Sequence, residues 1–412
     1  MNDLLIRNAR LLTGEIVSIA VKDGKIAAIG SDLEAMAFET KDALGRVVMA
    51  GLVEAHCHLD KNLTLSSVGN NSGTLMEAIE NWVAYKPSLT HGDYCDRASA
   101  GLELALVSGV TALRSHVDVS LVGGLLALEA VSEAREKFAD VIDVQLVALG
   151  MAGVSDAETA IMQAAMAAGA DVVGGCPWIT PDPRAAVTAI FDLAQQCGKP
   201  IDLHVDETED AGVNTLEFIA ALTLERGMQG LVTVGHCCSL GFMAQADAER
   251  VMDLVARAGL HVVSLPACNL NLQGRGVHPA PRGLTRVREL LERGVNVSFG
   301  SDNVRDPFHP IGDYDPLKAA NLGVIAAHMS ASSQMLETLE MVSSRAAKAL
   351  RLPEYGLSIG SSADFVVLDA GSALEALSRI PARVAVYKRG QLVSSTTIKR
   401  QIRGELEVSA WT

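Results

Sequence analysis

Residues 49–60, Met-Ala-Gly-Leu-Val-Glu-Ala-His-Cys-His-Leu-Asp, decide how this chain folds and where its chemistry lies. A short apolar run ends in two histidines that are separated by one residue. In a β-strand successive side chains point to opposite faces, so His56 and His58 project from one face while Cys57 points to the other. Two imidazoles held on one rigid strand can ligate one metal ion. The segment therefore predicts a strand that ends at a metal site.

Seven further strand-like runs follow, and alanine-rich helical stretches such as 156–168 and 185–197 lie between them. Eight strands that alternate with helices indicate an α/β fold, namely a (β/α)8 TIM barrel. The first predicted strand ends at His56 and His58, and the other seven cover residues 109–119, 141–149, 170–175, 200–207, 231–236, 261–265 and 296–303.

Both ends of the chain have a different sequence pattern from this middle part. Short apolar runs with intervening turns fill residues 1–50, and similar runs at 364–369 and 384–393 flank a glycine turn. The economical arrangement is a small β-sandwich domain formed from both termini. We therefore predict one domain from residues 1–50 plus 350–412, and a metal-dependent barrel from residues 51–349.

Composition restricts the partners of the protein. The 412 residues are 49% hydrophobic and only 4% aromatic, which suits a large α/β core with aliphatic packing. A net charge of −15 argues against nucleic acid or an acidic membrane surface as partner. The seven cysteines include no CxxC pair, and no uncharged apolar run is long enough to cross a bilayer. We expect a cytoplasmic protein with a small-molecule substrate, and a homo-oligomer is compatible with the sequence.

Other predicted strands also end in metal-binding or acid–base residues. The fifth ends with His204 and Glu207, the sixth with His236, and the eighth with Asp302. Because catalytic groups of such barrels lie at the carboxyl ends of the strands, these side chains are expected to meet. Three imidazoles and a carboxylate suit one divalent ion, Zn or Fe, with room for a water. The predicted metal ligands are His56, His58, His204 and Asp302.

The remaining groups are assigned catalytic roles. The metal would lower the pKa of its water to about 7. Glu207 lies three residues after His204 and is placed to move the proton of that water to the leaving group. His236 is predicted to hydrogen-bond the hydroxide or the tetrahedral centre rather than to ligate the metal, and Asp302 to orient the hydroxide as well as ligate. The fourth strand ends without a lysine, which favours one metal over two bridged metals.

These residues resemble the amidohydrolase superfamily and, within it, the cytosine deaminase-like branch. The resemblance covers most of the chain, and its motifs are residues 56–60, 71–75, 114–119, 170–174, 202–207, 271–275 and 299–303. It implies the same metal ligands, Glu207 as the acid/base, His236 as the group that positions hydroxide, and a β-sandwich from both termini.

Two residues depart from the cytosine enzymes. Met151 stands where those enzymes place a glutamine that reads the carbonyl and N–H edge of the ring, and methionine cannot supply that donor–acceptor pair. Asn303 replaces a second aspartate, and residues 301–306 look more like the branch that removes alkylamines from s-triazines. We therefore expect a different ring edge to be presented and cytosine to be a poor substrate.

The sequence thus predicts a metal-dependent hydrolase that cleaves a C–N bond at an amidine-like carbon of a small cyclic compound. Deamination of a cytosine-like or related heterocycle is the leading form. Hydrolysis of a substituted amine or a cyclic amide is the alternative within enzymes, and a non-catalytic barrel scaffold is the alternative outside them. The predicted substrate-binding residues are Leu75, Met151, Trp178, Gln273 and Asn303.

Overall fold

The computed structural model describes residues 1–31, 33–402 and 405–409, and its first fifty residues form strands of one mixed sheet. These strands are β1 (Asn2–Arg10), β2 (Ile16–Lys22), β3 (Lys25–Gly30), β4 (Ala37–Asp42) and β5 (Val47–Ala50). The central strand, β1, pairs antiparallel with β2 and parallel with both β4 and β5. Consecutive apolar side chains are buried on both strands, Leu4–Ile6 on β1 and Ile19–Val21 on β2, so both faces of the sheet are covered there.

A second sheet of eight parallel strands forms the barrel, in the order in which the strands occur along the chain. Its strands are β6 (Leu52–Cys57), β7 (Val110–Asp118), β8 (Asp143–Leu149), β9 (Val172–Gly175), β10 (Ile201–Val205), β11 (Val232–His236), β12 (His261–Ser264) and β13 (Asn296–Phe299). Each lies within one of the eight predicted runs. The (β/α)8 barrel expected from the sequence is confirmed.

Helices follow the barrel strands and cover their outer face. They are α1 (Leu75–Tyr85), α2 (His91–Val107), α3 (Leu126–Lys137), α4 (Asp156–Ala167), α5 (Pro183–Cys197), α6 (Thr215–Glu225), α7 (Gln245–Arg257), α8 (Pro266–Leu272), α9 (Val287–Glu292), α10 (Pro316–Ala326), α11 (Ser332–Met341), α12 (Ser344–Leu350) and α13 (Ala373–Arg379). None of the helices in the described chain is long and apolar enough to span a membrane.

Local sequence explains where these helices begin and end, as α5 illustrates. The side chain of Asp182 accepts a hydrogen bond from the amide of Ala185, and Pro183 occupies the first turn, where its missing N–H costs nothing. Gly198 ends the helix with a φ of 64°, a left-handed conformation that glycine adopts without strain. Both predicted helices, 156–168 and 185–197, are observed within a few residues as α4 and α5.

The chain returns to the first sheet after the barrel. Its last strands are β14 (Phe365–Leu368), β15 (Arg383–Lys388), β16 (Gln391–Ser395), β17 (Ile398–Ile402) and β18 (Glu405–Ser409). Strands β14, β15 and β16 join the terminal sheet through antiparallel pairing of β14 with β5, whereas β17 and β18 pair with each other. The β-sandwich predicted from both termini is thus confirmed, while the exact domain limits at residues 50 and 350 stay a prediction.

A buried lysine joins the terminal sheet to the barrel. The ammonium of Lys388, on β15, lies 2.6 Å from Asp143 Oδ2 at the start of β8 and 2.7 Å from Asp364 Oδ2. It also donates to the carbonyl oxygen of Thr111, on β7. Lys388 is almost fully buried, so these acceptors compensate for the desolvation of its charge. The terminal sheet is therefore packed against the amino-terminal ends of strands, away from the predicted site.

The barrel closes where its first and eighth strands meet. The amide of Asp302 donates to the carbonyl oxygen of His56 at 2.9 Å, and Cys57 and Asp302 form a parallel bridge. The buried carboxylate of Glu54 accepts from the amides of His56 and Ser301 and from the Ser301 hydroxyl. Burial raises the pKa of Glu54 to about 7. Glu54 therefore supplies the acceptors that the two strands lack at this seam.

We predict that Glu54→Ala destabilises the seam, because three donors at His56 and Ser301 lose their acceptor. At about 1–3 kcal/mol for each buried unsatisfied group, partly relieved by water, the free energy of unfolding should fall by about 2–4 kcal/mol. Urea unfolding of the metal-free protein measures this change. The control is Glu39→Ala, an exposed glutamate on β4. Equal unfolding midpoints for the two variants would contradict the role of Glu54.

Candidate active site

Four predicted ligands converge at the carboxyl end of the barrel. Nε2 of His204 lies 3.2 Å from Nε2 of His56 and 3.1 Å from Nε2 of His58. Oδ1 of Asp302 lies 3.5 Å from the His56 nitrogen and 3.2 Å from the His58 nitrogen. All four side chains are buried. One ligand atom from each residue thus lies within 4.8 Å of every other.

This arrangement fits a divalent ion. Ligand atoms about 2.1 Å from a shared ion lie about 3.0–3.4 Å apart at angles of 90–110°, which matches the observed separations. Both carboxylate oxygens of Asp302 are buried without a hydrogen-bond partner in the described chain. A cation is the group that such a buried carboxylate requires. The donor set of three nitrogens and one oxygen suits zinc or iron.

The protonation states are those of a metal site. Burial, with the neighbouring imidazoles, lowers the pKa of His204 well below its ordinary value, and burial and the Lys61 ammonium lower that of His58. Burial alone would raise the pKa of Asp302, but its contacts with the His236, His56 and His58 rings outweigh this and hold it low. Neutral imidazoles and an ionised carboxylate are the forms that bind metal.

The chain turns sharply at the strand ends that carry these groups. Asp206, His236 and Asp302 have φ values of 47°, 66° and 62°, a left-handed region that residues other than glycine rarely adopt. Hydrogen bonds hold the turn at Asp206, whose carboxylate accepts from the amides of Thr215 and Leu216 at the start of α6. This turn directs Glu207, the next residue, into the barrel mouth. Strained backbone of this kind is often found at functional sites.

Glu207 and His236 lie beside the ligand cluster and contact each other. Oε1 of Glu207 is 3.3 Å from Nδ1 of His236, and both side chains are buried. Burial, together with the charge of Asp302, raises the pKa of Glu207 well above its ordinary value. Burial lowers the pKa of His236 to about 3. The imidazole of His236 is therefore neutral at neutral pH, and the Glu207 carboxyl holds a proton more readily than an exposed glutamate does.

Asn269, on α8 after the seventh strand, is a site residue that the sequence did not reveal. Its amide nitrogen lies 2.9 Å from Nδ1 of His236 and 3.5 Å from Oε1 of Glu207. A hydrogen bond at Nδ1 fixes the ring orientation of His236 and leaves its Nε2, which has no partner in the described chain, for the site. Nothing in the spacing around Asn269 distinguishes it from the other asparagines.

Lys61 is a second residue that the sequence did not reveal. Its ammonium lies 3.2 Å from Nδ1 of His58, 3.1 Å from Asp60 Oδ2 and 3.0 Å from Asp118 Oδ1. It thus connects His58, a predicted metal ligand, to two carboxylates. His116 packs its ring on His56 with centroids 3.9 Å apart. Asp118 is bound by Lys61 and Lys86, whereas His116 contacts the ring of a predicted ligand.

A cavity of about 900 Å³, including the open space at its mouth, leads to the cluster. Four of the five predicted substrate-binding residues line it, namely Leu75, Met151, Trp178 and Asn303. Asn303 donates to Asp306 Oδ2 at 2.7 Å. Gln273 is not among the lining residues, and its amide donates to the carbonyl oxygen of Glu207 at 3.3 Å. The binding roles of all five stay predictions.

Comparison with known proteins identifies the family. The family model described as Amidohydrolase family matches residues 39–394, which is most of the chain. The chain belongs to the amidohydrolase family. Its site residues therefore lie in a hydrolase that acts on C–N bonds, and the resemblance predicted from the sequence is confirmed. The scaffold alternative is not supported.

Several relatives resemble this amidohydrolase over nearly its whole length. A pterin deaminase of Rhizobium rhizogenes is 35% identical over 390 residues, which cover 91% of this chain and 87% of the relative. The crystal structure of 5-methylcytosine deaminase from Klebsiella pneumoniae, liganded with 5-fluorocytosine, is 33% identical with a TM-score of 0.92, covering 97% and 99%. That of N-isopropylammelide isopropylaminohydrolase from Burkholderia multivorans is 31% identical with a TM-score of 0.86, covering 96% and 99%.

We predict that the purified protein binds about one divalent ion per chain, and that His204→Ala and Asp302→Ala hold less than about a tenth of that amount, since each removes one of four ligands. Elemental analysis after reconstitution with Zn²⁺ or Fe²⁺ measures the content. The control is His91→Ala, at the exposed start of α2. Two ions per chain in the wild type, or full content in the variants, would contradict the assignment.

Proposed function

We propose that this amidohydrolase deaminates a small heterocycle at an amidine-like ring carbon, with release of ammonia. The observation that carries the proposal is the contact of Glu207 with His236 directly beside the four-residue cluster. One buried pocket would then hold an acid/base, a hydrogen-bonding imidazole and a metal-binding set, which supports the proposal. The relatives whose names specify deamination of a pterin and of 5-methylcytosine support it.

The proposed cofactor is one divalent ion, held by His56, His58, His204 and Asp302. When bound, the ion supplies an activated water as nucleophile. Glu207 carries the proton in this scheme, because its raised pKa lets the carboxyl give a proton to the ring nitrogen or the departing amine and regain one from water. Without this proton the amino group would have to depart as an amide anion, which is a poor leaving group.

His236 has a different task from Glu207. Its pKa of about 3 means that the ring stays neutral, so it acts as a hydrogen-bond donor rather than as an acid. With Nδ1 held by Asn269, the Nε2–H is directed to the reacting carbon and stabilises the oxygen that adds there. Asp302, whose pKa is held low, accepts a hydrogen bond from the attacking water and orients it.

The pocket suits a flat ring compound of modest size. Its walls include the apolar side chains of Leu75, Ile79, Trp82, Met151 and Phe308, so the faces of a heterocycle are covered by apolar surface. The thioether of Met151 cannot pair with both a carbonyl and an N–H group of cytosine. We therefore propose a ring whose edge differs from that of cytosine.

Hydrolysis of a substituted amine is the second candidate. The apolar residues of α1 at the pocket mouth, Leu75, Ile79 and Val83, would accommodate an alkyl group on the leaving nitrogen. The relative named N-isopropylammelide isopropylaminohydrolase supports this candidate. Release of ammonia or of an alkylamine distinguishes the two.

We predict that Glu207→Gln retains the metal yet loses at least about a hundredfold in kcat, the usual contribution of acid–base catalysis, because an amide cannot carry the proton. Steady-state kinetics and elemental analysis on the same preparations measure both effects. Glu249→Gln, an exposed position on α7, is the matched control. Near-normal turnover in Glu207→Gln would remove this residue from the mechanism.

The substrate class is tested with amino-substituted pterins, pyrimidines and s-triazines, together with N-alkylamino triazines, on the metal-loaded enzyme. We expect ammonia release from at least one amino-substituted ring, and a kcat/KM for cytosine below about 10⁴ M⁻¹s⁻¹, the lower end of the range for good enzymes. Alkylamine release without ammonia would overturn the first candidate in favour of the second. Inactivity toward the entire panel would contradict both.

A further inference from the structure

We propose that Lys86 and Ser120 form a subsite of two hydrogen-bond donors that binds a ring oxygen of the substrate. Both residues line the cavity at the end of the second barrel strand. The inference rests on the proposed function, since it assigns a group of the same heterocyclic substrate. It also defines the substrate class more narrowly: the ring carries an oxo or anionic oxygen remote from the carbon that reacts.

Lys86 has one donor that the protein does not use. It begins a 3-10 turn, Lys86–Ser88, directly after α1, and its side chain is only 8% exposed. Its ammonium lies 3.1 Å from Asp118 Oδ2 and 3.4 Å from Ser120 Oγ. An ammonium has three N–H donors, and these contacts use two of them. The third has no acceptor in the described chain and is left for a molecule in the cavity.

Ser120 also has a hydrogen-bond donor that the protein does not use. Its Oγ accepts from Lys86 and from the amide of Gly123, the latter at 3.2 Å. These two bonds occupy the acceptor sites of the hydroxyl, so its own proton is available as a donor. The two donor atoms are 3.4 Å apart, a separation that lets both reach one oxygen atom or the two oxygens of a carboxylate.

The other lysine of the cavity cannot serve this purpose. The Lys61 ammonium has four close acceptors, namely His58 Nδ1, both oxygens of Asp60 and Asp118 Oδ1. Its three N–H groups are therefore engaged within the protein. Among the cations that line the described cavity, Lys86 alone retains a donor. Asp60 and Asp118 balance the two lysines in charge, so the subsite accepts either a neutral oxo group or an anionic oxygen.

The position of the subsite matches a ring that reacts at Glu207. Lys86 and Ser120 lie at the second strand, whereas Glu207 follows the fifth strand, three places around the eight-strand ring. Trp82 and Met151 line the space near them. A ring that presents its reacting carbon to Glu207 therefore extends its opposite edge toward Lys86. Both groups of the subsite donate hydrogen bonds, so they favour an oxygen acceptor and provide no acceptor for a ring N–H. This agrees with Met151, which cannot pair with a ring N–H as a glutamine would.

The test compares rings that differ only by one oxo oxygen, pterin against 2-aminopteridine and cytosine against 4-aminopyrimidine. Titration calorimetry gives Kd in the metal-loaded Glu207→Gln background, in which the rings are not consumed. Lys86→Met is expected to raise the Kd of the ring with the oxo group at least about tenfold, and the Kd of the ring without it less than about twofold. The reason is that a charged hydrogen bond is lost only with the oxo ring. Ser120→Ala should show the same preference with a smaller change, and Lys137→Met, an exposed lysine on α3, should show neither.

A purely structural role of Lys86 gives a different result. Loss of its bond to Asp118 would disturb Lys61 and His58, so metal content would fall and both members of a pair would weaken equally. Equal weakening of both members of a pair would overturn the subsite. So would unchanged Kd values in Lys86→Met, and so would a failure of the parent protein to bind either oxo ring. Because Kd is measured without turnover, the binding test of the subsite is independent of the ammonia assay that tests the proposed function. Either hypothesis can therefore fail while the other is supported.

Discussion

The structure depends on one contact across the seam of the barrel, where the amide of Asp302 donates to the carbonyl oxygen of His56. This hydrogen bond joins the first strand to the eighth and places two predicted ligands side by side. Glu54 reinforces it by accepting from both strands. The contact that closes the barrel therefore also brings the predicted ligands together. A change that opens the seam would separate them.

Burial makes this site costly to form without partners for each polar group. Charges and unpaired polar atoms are unfavourable in a buried environment, and several groups near the cluster have a compensating neighbour. Asp206 binds the start of α6, Asn269 binds His236, and Lys61 links His58 to Asp118. In the described chain both oxygens of Asp302 lack a hydrogen-bond partner, as do ring nitrogens such as His236 Nε2, and a divalent ion is the partner that fits the Asp302 carboxylate. Burial shifts the pKa values of His58, His204, His236 and Glu207, and the polar neighbours hold several of these side chains in place.

The family does not by itself identify the ring on which the enzyme acts. Relatives of 31–35% identity that cover nearly the whole chain are named for a pterin, for 5-methylcytosine and for N-isopropylammelide. A barrel can carry one chemistry at its strand ends while the loops beyond those ends decide which substrate is bound. In this chain Met151, Lys86 and Ser120 are the residues on which the choice of ring is proposed to depend.

The sequence by itself determined the barrel and the terminal sheet, and it predicted that His56, His58, His204 and Asp302 would cluster beside Glu207 and His236. Strand and helix periods are local, and strand ends of a parallel barrel must meet, so a residue at a strand end such as His204 could be placed from its position alone. Only the tertiary structure revealed Asn269, Lys61 and the free donor of Lys86, and it placed Gln273 behind Glu207. These residues lie in loops or short helices, where no repeating pattern fixes side-chain direction, and partners such as His236 for Asn269 and Asp118 for both lysines are remote in sequence.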